Sequence, residues 1–140
     1  MLIRAASAAI MLPVWLGAQV ATQPSRVDYC DVVVSPAEYN GKMILVEVNL
    51  SPSDHSLFLY DKSCAPRQGF DVSTEAVLPN SWQSLPHGKR LRELLKNGQD
   101  AKVSVIGVFE GGGRKRYGLD GQKFRLSITQ IQSVSKVNKR

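Results

Sequence analysis

The sequence predicts an all-β domain, a five-stranded barrel with one helix between the third and fourth strands. Apolar and polar residues alternate along several short runs, the pattern of strands that bury one face. One segment instead shows the spacing of an amphipathic helix, and it follows three of the alternating runs and precedes two. Closing such strands into a cylinder buries one face of each and removes most free edges.

The first two strands are predicted in "KMILVEVNL" and "SLFLY". In the first, one face carries Ile44, Val46, Val48 and Leu50. In the second, Leu57 and Leu59 face opposite to Phe58 and Tyr60. The intervening "SPSDH" is rich in turn residues, so the two runs are expected to form an antiparallel hairpin. Before the hairpin, Ser35-Pro36 predicts a single helical turn that Asn40-Gly41 ends.

The third strand is predicted, from a weaker pattern, in "FDVSTEAVL". The helix follows, with Leu91, Leu94 and Leu95 at i, i+3 and i+4 and Asn97-Gly98 as its end. "AKVSVIGVFE" and "QKFRLSITQIQSV" supply the last two strands. This order is that of the OB-fold, so we predict an OB-like Greek-key barrel.

The N-terminal segment has the layout of a secretory signal peptide. Arg4 precedes an apolar run that ends at Ala21, and a polar stretch follows. We therefore expect residues 1–21 to be a signal peptide, cut near Ala18 or Ala21, and residues 22–140 to be one domain with a short basic tail. An uncleaved membrane anchor is the alternative, although the run is short for a membrane span. The mature chain is expected to have no transmembrane segment.

The chain has two cysteines, Cys30 and Cys64, which are expected to form a structural disulfide in an exported protein. Cys64 follows the second strand and Cys30 precedes the first, so the bond would pin the N-terminal segment across the barrel. A metal or redox pair is the alternative. With His55 and His87 as the only histidines, the spacing is poor for zinc, and we predict no metal site.

The net charge is +6, and much of the excess is clustered in "GGGRKRYG", "HGKRLRELLK" and the tail "SKVNKR". Clustered positive charge favours nucleic acid, anionic lipid or acidic polysaccharide as a partner. Lys and Arg side chains are usually solvent-exposed and need no partner there, so a solvated surface remains the alternative for most of these basic residues.

Catalytic motifs are weak in this sequence. "PSDHS" places Ser53, Asp54, His55 and Ser56 together, but a hydrolytic triad requires geometry rather than adjacency in sequence. "GGGRKR" lacks the pattern of a phosphate-binding P-loop and joins two predicted strands rather than a strand and a helix. We therefore predict a protein that is not an enzyme and has no cofactor.

The motifs "YNGKMILVEV", "LFLYDKSC", "VSVIGVFEGG" and "YGLDGQKFRLSITQIQSV" occur in this order between Cys30 and Val134. The chain resembles a group of small exported bacterial proteins with an OB-like core and no assigned activity. The broader OB-fold resemblance implies binding of oligonucleotides, oligosaccharides or proteins, and the fold alone does not choose among them.

The predicted binding site follows from the position of two loops. In OB-folds the loops between strands 1 and 2 and between strands 4 and 5 border the ligand face. The first of these contains His55. The second contains cations beside an aromatic residue, a combination suited to a polyanion; its candidate residues are Arg114, Lys115, Arg116 and Tyr117.

These observations predict an exported, secreted or periplasmic, non-enzymatic binding module for a protein partner or an anionic polymer, and a monomer. Nucleic acid is disfavoured, because export separates the chain from the cytoplasmic pool. Two alternatives remain. One is an accessory protein of the cell envelope whose basic tail contacts anionic lipid, and the other, less favoured, is an exported hydrolase that uses His55.

Overall fold

A computed structural model of the chain describes residues 9–11, 23–54, 56–64 and 73–138. Several predictions concern residues outside these ranges. They are most of the predicted signal peptide (residues 1–21), His55, and the two terminal residues Lys139 and Arg140.

Strands dominate the described residues. The strands are β1 (Arg26–Val27), β2 (Met43–Pro52), β3 (Leu57–Tyr60), β4 (Ser73–Val77), β5 (Ala101–Glu110) and β6 (Phe124–Lys136). The helices are α1 (Tyr29–Val34), α2 (Pro36–Tyr39), a short 3-10 helix (Trp82–Ser84) and α3 (Gly88–Lys96). No helix in the described ranges has both the length and the apolar content needed to cross a bilayer.

Five strands close into a barrel in the order β2-β3-β4-β6-β5, and β5 then pairs with β2. The closing pair is antiparallel and runs from Met43 opposite Val108 to Leu50 opposite Ala101. Strand β4 is parallel to β6, and the other barrel pairs are antiparallel. The predicted five-stranded OB-like barrel is confirmed, with α3 between its third and fourth strands.

The inward faces of the strands form the core, as the alternating pattern predicts. All four inward residues of β2 are 4% exposed or less, and Leu59, Phe109 and Leu126 are equally buried. Helix α3 adds Leu91 and Leu94 to the same core. The apolar face of each element is therefore removed from water, which is the main stabilising contribution of the fold.

Strand β1 extends the sheet beside the first half of β2, where β3 does not reach. It pairs in parallel with Leu45 and Val46. Across the outer surface, Glu47 lies 3.0 Å from both Arg26 and Lys102. These cations, Lys102 first, lower the pKa of Glu47 although its burial acts in the opposite direction. The pair with Arg26 adds an exposed ion pair to the backbone pairing of β1 with β2.

Helix α1 was not predicted from the sequence. It contains the run "DVVV", and β-branched residues disfavour a helix. Two contacts oppose that preference. The Asp28 carboxylate accepts a hydrogen bond from the Cys30 amide at 2.7 Å, which caps the helix. The buried Tyr29 hydroxyl shares a 2.6 Å hydrogen bond with Thr74 of β4. The expected helical turn at Ser35-Pro36 is present as α2.

The predicted disulfide is confirmed. Cys30 in α1 is bonded to Cys64 after β3, with 5.1 Å between the Cα atoms, and both residues are buried. The bond joins positions 34 residues apart and fixes α1 against the barrel.

Replacing both cysteines, as Cys30→Ser with Cys64→Ser, is expected to lower the free energy of unfolding by about 3–4 kcal/mol, because the unfolded chain regains the entropy of its open loop. Urea denaturation followed by circular dichroism measures this difference. A reductant should bring the wild-type protein to the stability of the double variant and leave that variant unchanged. Equal stability of the variant and the oxidised wild type would contradict the prediction.

A polar cluster joins β2, β3 and the start of β5. Asp100 accepts hydrogen bonds from the Tyr60 hydroxyl and, at 2.7 Å, from the Ser51 hydroxyl. Burial and the hydrogen bond to this carboxylate raise the pKa of Tyr60 to about 12. In the unfolded chain a tyrosine loses its proton near pH 10. In the folded protein the Tyr60 phenol keeps its proton up to a pH of about 12.

Tyr60→Phe is expected to lower the unfolding free energy by about 1.5–3 kcal/mol at neutral pH, since a hydrogen bond to a charged group is lost. The raised pKa means that this advantage of the wild type is complete below about pH 10 and declines as the pH rises towards 12. Denaturant titrations of both proteins between pH 7 and 12 measure it. A difference that stays constant up to pH 12 would contradict this assignment.

Candidate anion-binding loop

Residues 111–123, here called the basic loop, connect β5 to β6. At its start the Gly111 amide donates a hydrogen bond to the Asn40 side chain at 3.0 Å. Gly112 has a φ of +85°, and a Cβ there would lie 2.9 Å from the backbone nitrogen of Ala37. Glycine is therefore required at this position both by the backbone conformation and by the close approach to α2.

The second half of the basic loop is a small hairpin. Tyr117 and Gln122 exchange two backbone hydrogen bonds of 2.8 Å across a tight turn. Side chains tie the hairpin to the barrel, since Ser73 of β4 donates to Gln122 at 2.7 Å. Ser56, in the β2–β3 loop, donates to Asp120 at 3.1 Å. The two loops predicted to border the ligand face are thus in direct contact.

The Tyr117 ring lies beneath the basic loop and is only 7% exposed. Lys115 Nζ lies 5.4 Å from the ring centroid and Arg125 Cζ lies 4.8 Å from it. These distances are those of cation–π contacts. In this conformation the ring supports the loop from within rather than facing a ligand.

Arg125 connects the loop to the barrel wall. Its guanidinium donates to both carboxylate oxygens of Glu110, at 2.9 and 3.2 Å. This hydrogen bonding is the main cause that raises the pKa of Arg125, and burial opposes it. The charge of Arg125 is therefore compensated by Glu110 within the fold. The exposed cations of this region are those of the basic loop itself.

Three consecutive cations, Arg114, Lys115 and Arg116, are exposed on the loop. Within the described residues, ion pairs form elsewhere, at Glu47 and at Glu110, and none involves these three side chains. The loop therefore presents a compact positive site to solvent, which attracts an anion.

A groove of about 530 Å³ separates the basic loop from the end of α1. The loop cations line one side together with Lys123. Val34 and Pro36 line the other, and Phe124 also contributes. The sequence interpretation included neither Lys123 nor this apolar wall. The run of valines before Ser35-Pro36 was the available signal, but nothing in the local pattern places it beside the loop.

Of the four predicted loop residues, Arg114, Lys115 and Arg116 line the groove, whereas Tyr117 is buried and does not line it. His55 lies outside the described residues. Its neighbours Ser53 and Ser56 form a closed turn, in which the Ser53 amide donates to the Ser56 carbonyl at 2.8 Å. This turn is the part of the β2–β3 loop that contacts the basic loop through Asp120.

Among the described residues, one group of metal-ligating types lies close together, namely Cys30, Asp61 and Cys64. Both sulfur atoms are joined in the disulfide, so neither is present as the thiolate that binds a metal.

The Tyr117 ring is expected to hold the basic loop in place. Tyr117→Leu removes two cation–π contacts and is expected to speed hydrogen exchange of the Tyr117 and Gln122 amides about 5–30-fold. The matched control Tyr117→Phe keeps the ring and should exchange like the wild type. Residue-resolved exchange by NMR distinguishes the two variants. Equal protection in both would show that the ring does not stabilise the loop.

Comparisons of this chain with protein-family models, with curated proteins and with solved structures find no match.

Proposed function

We propose that this protein is a non-enzymatic binding module whose basic loop takes an anionic polymer. The observation that carries the proposal is the exposure of Arg114, Lys115 and Arg116 without an acidic partner in the described chain. Guanidinium groups suit phosphate, sulfate and carboxylate groups because each offers several donors in a fixed plane.

The support beneath the loop favours binding over a merely solvated surface. Gly111 and Gly112 anchor one end, the hydrogen-bonded hairpin anchors the other, and the Tyr117 ring lies below. A loop held in this way loses less conformational entropy when a ligand binds. The cations are thereby preorganised for a partner with repeated negative charge.

The proposal places the protein outside the cytoplasm. Disulfides form and persist mainly in oxidising compartments, and the Cys30–Cys64 bond is buried within the fold. An anionic polysaccharide or another polyanion of the cell envelope is the class of ligand that such a compartment offers. An acidic protein segment would use the same charges.

Neutralising the three cations, as Arg114→Ala, Lys115→Ala and Arg116→Ala together, tests this function. Heparin and a single-stranded oligonucleotide serve as polyanion probes, the latter because its charge spacing is known. The variant is expected to bind more weakly, and its slope of log affinity against log salt should fall by about 2, since each lost contact contributes about 0.7. Titration at several salt concentrations measures both effects.

Helix α3 offers a matched control. Lys89, Arg90 and Arg92 are also exposed and lie before β5, whereas the basic loop follows it. The ten residues of β5, which span roughly 30 Å when extended, lie between the two clusters in the chain. Replacing these three with alanine removes the same charge and should leave most of the affinity. An equal loss in both variants, or binding lost only when residues 136–140 are deleted, would overturn the assignment to the basic loop.

A further inference from the structure

The groove beside the basic loop differs on its two sides. Its apolar side is formed by Val34 at the end of α1 and by Pro36 at the start of α2. Val34 is 53% exposed, and its neighbour Val33 also lines the groove, although it is only 5% exposed. The Val34 side chain is therefore an exposed apolar surface beside the groove, and no partner buries it in the described structure.

The opposite side of the groove is positively charged. Arg114, Lys115 and Arg116 line it, with Lys123 next to them, and the described residues of the lining include no acidic side chain. A purely polar polyanion would contact these cations and leave the apolar side in water. The lining as a whole suits a ligand that has an anionic group and an apolar group next to each other.

We infer that the groove binds an alkyl or acyl chain attached to the anion that the basic loop holds. This inference rests on the proposed function and specifies its ligand, which is an anionic group carrying an apolar substituent. The charged end contacts the loop cations, and the chain lies against Val34 and Pro36.

The size and shape of the site favour a single chain over an extended membrane surface. The volume of about 530 Å³ lies in the range of pockets that enclose small molecules. Leu119 on the hairpin turn is 83% exposed and is the apolar residue of this loop that would contact a membrane surface, but it does not line the groove and has no part in binding a chain there.

A series of alkyl phosphates, from methyl to octyl and kept below their aggregation concentrations, tests the inference by calorimetric titration. Each methylene group that leaves water is expected to tighten binding by up to about fourfold. Affinity should therefore rise with chain length until the groove is filled. The amide NMR signals of Gly112 and Gly113, which line the groove, should shift on binding.

Val34→Ser removes the apolar contact without removing charge. It is expected to weaken octyl phosphate binding about 3–10-fold and to leave methyl phosphate and heparin binding unchanged. Val77→Ser is the matched control, because Val77 is also an exposed valine, at 40%, and lies on β4 away from the groove lining. The control should bind all three probes like the wild type.

The results separate the two proposals. Heparin binding that depends on the loop cations, together with no chain-length dependence or no effect of Val34→Ser, would overturn the groove inference and leave the proposed function standing. If the wild-type protein shows no salt-dependent binding of heparin, the proposed function is overturned and this inference with it. Chain-length dependence that Val34→Ser reduces and Val77→Ser preserves supports the groove as the binding site.

Discussion

The pairing of β2 with β5 is the constraint on which the rest of this structure depends. Eight residue pairs close the barrel between strands whose paired residues are 51 to 65 positions apart in the chain. Closure gives every barrel strand a buried inner face and satisfies the backbone groups of β2 along most of its length. It also sets where β5 ends, and thereby where the basic loop leaves the barrel.

The electrostatics of the surface follow from that geometry. Outward-facing charges on neighbouring strands meet in register, so Arg125 pairs with Glu110 directly across the β5–β6 ladder. Glu47 contacts Arg26 and Lys102 diagonally, on its two neighbouring strands. The basic loop projects beyond the ladder, and within the described residues its three consecutive cations form no ion pair with a strand carboxylate. They add exposed positive charge at this end of the barrel.

The candidate site combines features that were predictable with features that were not. The loop cations could be identified from the sequence because three adjacent basic residues follow a glycine-rich stretch and join two strands. The buried position of Tyr117 could not be predicted, since it depends on the contact between its ring and Arg125. The apolar wall at Val34 was equally hidden, because it exists only where α1 ends beside a loop almost eighty positions later in the chain.

The sequence by itself determined the barrel strands and helix α3, because local periodicity and turn residues encode them, and it indicated the disulfide through the presence of two cysteines behind an apparent export signal. Only the tertiary structure decided that the run "DVVV" becomes a helix, since a cap at Asp28, the burial of Tyr29 and the bond at Cys30 outweigh its local preference for strand. The groove, too, was decided only by the tertiary structure. Its two sides are assembled by strand closure and disulfide pairing, which act between residues that no local pattern connects.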